Sequence, residues 1–478
     1  MAGISKRVWI FLCATWAIAP LVHASEPPPP PVHYDIGLDV HNDEVEAITV
    51  RATVRAGDNG VVDFAPPWQD VTEVHAEAGK LDTSAKERWR VTTQPDSDVV
   101  LAWRTGKPER IDAKPWNIWQ RIADQSHAVV ALGGAFLAAP AGARSRQVTV
   151  SISMPEGWQA TTGLDTEAQT VASSSQISFL AAHGLRTATR STATGTMLRV
   201  SATGPHMPDV DQLATVIADA LDRLSRATGK GTGKVLTLNI TTFNGRDGLG
   251  WSLNGASGVL YLSESATAED ALIDVIRSFA VAEQADTNPR NAWFTQGMTA
   301  FRVTALMRGD KRLDDIAFAR HLDQTIVAYG GSPVRRASNA RVVDEYDRIQ
   351  EIHDLPLTRG ELFAWLIDGR MREATQGQKR LADALQRMDA SAADPGPALI
   401  VAAAAEGGGD ITPLYQRYIV DGELLQLPPD TLGPCFSIGT VVYDYGWQLQ
   451  HVFAKARSQC GAPASVGADS SAMGPRHG

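Results

Sequence analysis

The chain is rich in side chains able to do chemistry, but few of them stand at the spacings that chemistry requires. Eleven histidines are spread over 478 residues, and none is followed four positions later by another. The helical His-Glu-x-x-His arrangement, which presents two imidazoles to zinc, therefore has no place in the chain. No Gly-x-Ser-x-Gly elbow is present to expose a nucleophilic serine. Residues 229–234 read Gly-Lys-Gly-Thr-Gly-Lys, yet a phosphate-cradling loop needs glycine where Thr228 stands and a hydroxyl where Val235 stands. That stretch predicts a helix-to-strand turn. Cys435 and Cys460 lack a second cysteine at zinc-knuckle spacing. The adjacent carboxylates Asp314-Asp315 and Asp344-Glu345 suit solvated helix starts better than a glycosidase pair.

The elements that must position any site fall into two regimes. From about residue 34 to 202 the apolar residues alternate, as in Tyr34, Ile36, Leu38 and Val40, which predicts β-strands between Gly, Pro, Asp and Ser turns. From Pro208 the period lengthens: Val210, Leu213, Val216, Ile217, Ala220, Leu221 and Leu224 share one helix face, with Asp209 or Asp211 as N-cap. A strand pair is expected at 235–242 and 259–262. Helices follow at 268–283, 292–307, 314–328, 359–374 and 378–388.

Lys6 and Arg7 precede an apolar run, residues 8–22, that ends in Val22-His23-Ala24. This reads as a secretory signal peptide cleaved after Ala24; at about 15 residues the run is too short for a comfortable membrane span. No transmembrane segment is expected in the mature chain, whose place is then the periplasm or the exterior. Loss of Lys6 and Arg7 deepens a formal net charge of −10 by two, and nothing basic remains that would suit nucleic acid. Export leaves Cys435 and Cys460 as one candidate disulfide.

Residues 292–301, Ala-Trp-Phe-Thr-Gln-Gly-Met-Thr-Ala-Phe, resemble the Trp-Phe-x-Glu-Gly-Phe-x-x-Tyr helix of gluzincin metallopeptidases. The opening strand at 34–40 and the stretch Met154-Pro155-Glu156-Gly157-Trp158 through Leu164 are similar to parts of one branch, the glycyl aminopeptidase family (peptidase family M sixty-one). So are the Asp247-Gly248-Leu249 turn and residues 357–368. The resemblance implies an α+β multidomain chain, with an N-terminal β-sandwich-like domain before a thermolysin-like, mostly α-helical peptidase-type domain. The expected partition is a leader at 1–24, a proline-rich linker at 25–33, the β-domain at 34–205 and the peptidase-type domain at 206–395. A segment with the cysteine pair follows at 396–460, then a disordered tail at 461–478.

Placed on that family's pattern, the chain lacks the chemistry. The preferred register puts Ile276 and Ala280 at the two histidine positions and Arg277 at the general base. A register three residues earlier gives Ile273, Asp274 and Arg277. Gln296 replaces the third ligand, Gly250 and Trp251 replace a Glu-His pair, and Leu357 replaces a tyrosine. An amide is a poor zinc donor, and a fixed guanidinium repels the ion, so the zinc expected for the family is not expected here and no other cofactor is implied. The resulting expectation is a pseudopeptidase that keeps a cleft for a peptide or protein, with Gly248, Gly250, Trp251, Trp293 and Gln296 as lining candidates; Trp293 also suits a core. One alternative is an active zinc aminopeptidase with a site rearranged around residues such as His321, His353, Glu361 or Asp274. Another is an envelope scaffold or accessory protein.

Overall fold

A computed structural model describes residues 29–42, 44–110, 123–124, 127–141, 146–164, 169–171, 177–226, 234–244, 249–284, 286–388, 393–443, 448–455 and 460. The leader, the 229–233 turn, Gly248 and the tail lie outside these. The alternating pattern folds as strands whose apolar sides meet. Val32–His41 pairs antiparallel with Glu44–Arg55, placing Tyr34 opposite Ala52 and Ile36 opposite Val50, and pairs in parallel with Arg146–Ser153. These strands belong to a six-stranded sheet. A four-stranded sheet around Val61–Ala65 and a five-stranded sheet around Ala128–Leu132 share its core, where Tyr34, Phe64, Trp89, Trp103, Phe136 and Phe179 are buried. The polar tips of the core aromatics are satisfied: Tyr34 donates to the Ala138 carbonyl at 2.8 Å, and the Trp103 indole to that of Phe136 at 2.8 Å.

A second, mixed sheet follows in the order Arg186–Ser191, Met197–Thr203, Val235–Thr242, Ser257–Leu262, Leu249–Asn254. Its first two strands lie before the boundary expected at 205. Met197 pairs in parallel with Val235, so the change of sheet falls near residue 184. Local alternation marks a strand but not its partner, which here is 38 residues away. One face of this sheet, with Leu198, Val200, Leu238, Ile240 and Leu260, packs under the helices Val210–Arg226 and Leu272–Ala282. Asp209 caps the first helix, accepting from the Asp211 and Gln212 amides at 3.1 and 3.0 Å. The other face, polar apart from Val259 and Tyr261, sits against the β-domain: Asn239 donates to the Ser178 hydroxyl at 3.0 Å, and Thr237 to the Thr162 carbonyl at 3.4 Å.

The remaining chain is mostly helical, with Thr299–Gly309, Asp315–Gly331, Asn339–Glu345, Gln350–Ala374, Leu381–Arg387 and Pro395–Ala405. Asp314 caps the second of these through the Ala317 amide at 2.7 Å, the role its position suggested. The long helix begins at Gln350, nine residues before the expected start, and carries Pro356 inside it. Proline reads as a breaker because it lacks an N–H, yet burial of Ile352 and Leu355 holds this turn in register. A hairpin, Phe436–Val442 with Gln448–Ala454, packs on Asp315–Gly331, and Cys435 is bonded to Cys460 with Cα atoms 4.5 Å apart. Among the described residues no helix is long and apolar enough to cross a membrane.

Candidate functional site

The helix Leu272–Ala282 has two unlike faces. Leu272, Val275, Ile276, Phe279 and Ala280 are buried in the core beneath the mixed sheet, while Ile273, Asp274, Arg277 and Ser278 are only partly covered. Ile276 and Ala280, the ligand positions of the preferred register, therefore point away from any opening. The partly open face carries Ile273, Asp274 and Arg277, the residues that the earlier register names. Arg277 donates to Asp274 at 2.8 Å, one turn earlier, with both side chains about one-fifth exposed (20% and 21%).

Gln296 sits in a π-helical turn, Trp293–Met298, that leads directly into Thr299–Gly309. Its amide donates to the Tyr346 hydroxyl at 2.6 Å, and burial pushes that phenol up from its ordinary value. The His353 ring lies 4.6 Å from the Tyr346 ring, centroid to centroid. Trp293 is fully buried against Phe294, Phe363 and Tyr415, so it is a core residue and not a cleft wall. Trp251 is half-buried on the edge strand Leu249–Asn254, packing against the core under the mixed sheet, and its neighbour Gly250 is buried. Leu357 is half-buried in the long helix. Gln296 and Tyr346 are thus brought together, and Asp274 and Arg277 are brought together, but the aromatic lining is not.

A second polar group lies deeper. Glu361, 1% exposed, accepts from His321 Nε2 at 3.1 Å, from Thr304 at 3.3 Å and from Thr325 at 3.2 Å. Three helices meet there, and the charges of Asp274 and Arg277 also act on His321. Burial works against charge on both partners, but their mutual attraction and hydrogen bond prevail, holding His321 above its ordinary value and Glu361 below. His353, the other candidate of a rearranged site, instead meets Asp354 at 3.4 Å on the surface. Among the described residues no three of His, Cys, Asp and Glu converge to hold a metal ion. The alkyl group of Ile273, the guanidinium of Arg277 and the amide of Gln296 do not suit zinc either. Thr304, Thr325 and Tyr346 escaped the sequence reading because neutral hydroxyls carry no spacing signal.

A cavity of about 260 Å³ lies elsewhere, between Val210–Arg226 and the end of Thr299–Gly309, lined by Val216, Ala220, Arg223, Met307, Asp310 and Arg312.

Residues 33–183 match the Peptidase M61 N-terminal domain. The N-terminal part of the chain is thus similar to that of the M61 peptidases. The matched segment ends where the sheet changes, just before Arg186. An aminopeptidase N family protein from Idiomarina loihiensis superposes with a TM-score of 0.59 at 14% identity, over 87% of this chain and 81% of that one, which establishes a common multidomain fold. An M1 zinc metallopeptidase from Deinococcus radiodurans gives a TM-score of 0.47 at 13% identity, over 84% and 95% of the two chains. Comparison with curated proteins finds no significant sequence match.

Proposed function

We propose that this protein is an exported, catalytically inactive M61-like homologue, a pseudopeptidase whose scaffold serves to bind a peptide or protein in the envelope or outside the cell. One observation carries the reading: the partly open face of Leu272–Ala282 presents an Asp274–Arg277 ion pair where the family's pattern requires two imidazoles and a glutamate. A guanidinium cannot accept a proton from water at neutral pH and cannot ligate a cation. Without a metal-bound water, hydrolysis loses its nucleophile and its Lewis acid together. Gln296 and Tyr346, left as neutral hydrogen-bonding groups, suit recognition of a backbone amide more than its cleavage. Support for export is the leader-like residues 1–24.

A second reading, an active zinc aminopeptidase with a rearranged site, is favoured by the 3.1 Å approach of His321 to Glu361. Elemental analysis of protein purified without chelator and dialysed against zinc separates the two. The pseudopeptidase holds far less than one zinc per chain and releases no N-terminal glycine or alanine from short peptides. Near-stoichiometric zinc with metal-dependent release would overturn it in favour of the second.

A further inference from the structure

Arg359 lies in the long helix at 0% exposure. One guanidinium nitrogen, Nη1, donates to the Ala337 carbonyl just before the helix Asn339–Glu345, while Nε and Nη2 have no partner among the described residues. Among the described residues Tyr329 is the group whose charge would act on it, and no carboxylate does so. Tyr329 is not an anion at neutral pH. Its hydroxyl donates to the Arg335 carbonyl at 3.3 Å and accepts from the Leu425 amide at 3.0 Å, and burial raises its pKa. Arg335 and Arg336 add their own positive charge around that phenol. Desolvation lowers Arg359 to about 10, which leaves it protonated at neutral pH. A buried, protonated guanidinium with unused donors and no counter-charge is among the most costly arrangements a core can hold.

We propose that Arg359 anchors a buried anion site, beside the Ala337 segment and Tyr329, that takes a monoatomic anion of chloride size. The two free donors, Nε and Nη2, lie on adjacent corners of a planar fork, a geometry that grips one acceptor between them. The side chain is wholly removed from solvent, so a single-atom acceptor is the smallest partner that would satisfy both donors. The anion replaces the carboxylate partner that buried arginines normally have, and it ties Gln350–Ala374 to the Ser332–Ser338 segment. This site is independent of the pseudopeptidase reading.

The test is thermal and urea unfolding of the full chain in sodium chloride and in sodium gluconate at equal ionic strength. Chloride raises the melting temperature saturably, and at 100 times its dissociation constant the folding equilibrium shifts by about a hundredfold. In Arg359→Met the difference between the two salts disappears, because an apolar side chain needs no counter-ion. Should that variant fail to fold, wild-type crystals grown in bromide give an anomalous peak within hydrogen-bond distance of Arg359 Nε and Nη2. Superimposable wild-type curves in the two salts, a chloride response that Arg359→Met retains, or bromide absent from Arg359 overturns the proposal.

Discussion

Glu361 and His321 show how a pair of residues can set the pH range of a whole molecule. The folded state raises His321 above its ordinary 6.5, so its contribution is complete below pH 6.5 and is lost as pH rises through the folded value. It lowers Glu361 below its ordinary 4.5, so that contribution is complete above pH 4.5 and is lost as pH falls through the folded value. The pair is therefore at full strength between these limits. Glu361→Gln, which leaves a buried imidazolium without its counter-charge, is expected to cost about 3 kcal/mol at pH 5.5. The loss shrinks as pH is raised, for instance in a measurement at pH 9, because His321 loses its proton as pH rises through its folded value. Urea unfolding at both pH values checks this, and an equal cost at each would show that the pair is not ionised. The sequence named Glu361 and His321 as chemically able, but their separation of 40 positions gave no sign that they touch.

At the scale of elements, the π-helical turn Trp293–Met298 is held by backbone contact. A Cβ on Gly360 would fall 2.1 Å from the Trp293 carbonyl, and one on Gly297 would fall 2.3 Å from the Gly360 Cα. The π-helical turn and the long helix thus touch through two glycines, and neither backbone can yield without moving the other. Gly360→Ala is expected to cost about 3 kcal/mol through forced separation of the two elements, read as a lower urea midpoint. A loss under about 0.5 kcal/mol would mean that the contact is loose. The same crossing buries Trp293 and leaves Gln296 facing Tyr346. Both glycines were visible within quoted motifs, but a motif does not reveal that its glycine faces a glycine elsewhere.

For the whole molecule, the β-domain has an apolar core of its own, whereas its contact with the mixed sheet is mainly polar, through Ser178, Asn239, Ser257 and Thr237. A smaller apolar cluster of Val130, Leu132, Leu180, Val259 and Tyr261 bridges the two. A fragment of residues 29–184 is therefore expected to fold alone with a cooperative thermal transition, since it keeps all its own strand pairings. Extension to residue 205 adds two strands whose parallel partner, Val235–Thr242, is missing, and should lower solubility. Failure of the shorter fragment to fold, or better behaviour of the longer one, would place the boundary where alternation alone had put it.

Composition and local period were enough to determine the strand-rich first part, the apolar faces of the helices, and the absence of any histidine between His206 and His321. These are properties of residue type and short-range spacing, which the chain carries whether folded or not. Three things were decided only by tertiary structure. The part of the chain that covers the apolar face of Leu272–Ala282 depends on how the mixed sheet is assembled. The allegiance of Arg186–Thr203 depends on a parallel partner distant in sequence. The pairing of Glu361 with His321, and the lack of any such pairing for Arg359, depend on how the long helix packs against its neighbours. Each is a long-range juxtaposition, and the free energy of burial that fixes it belongs to both sides of a contact, so neither segment encodes it alone.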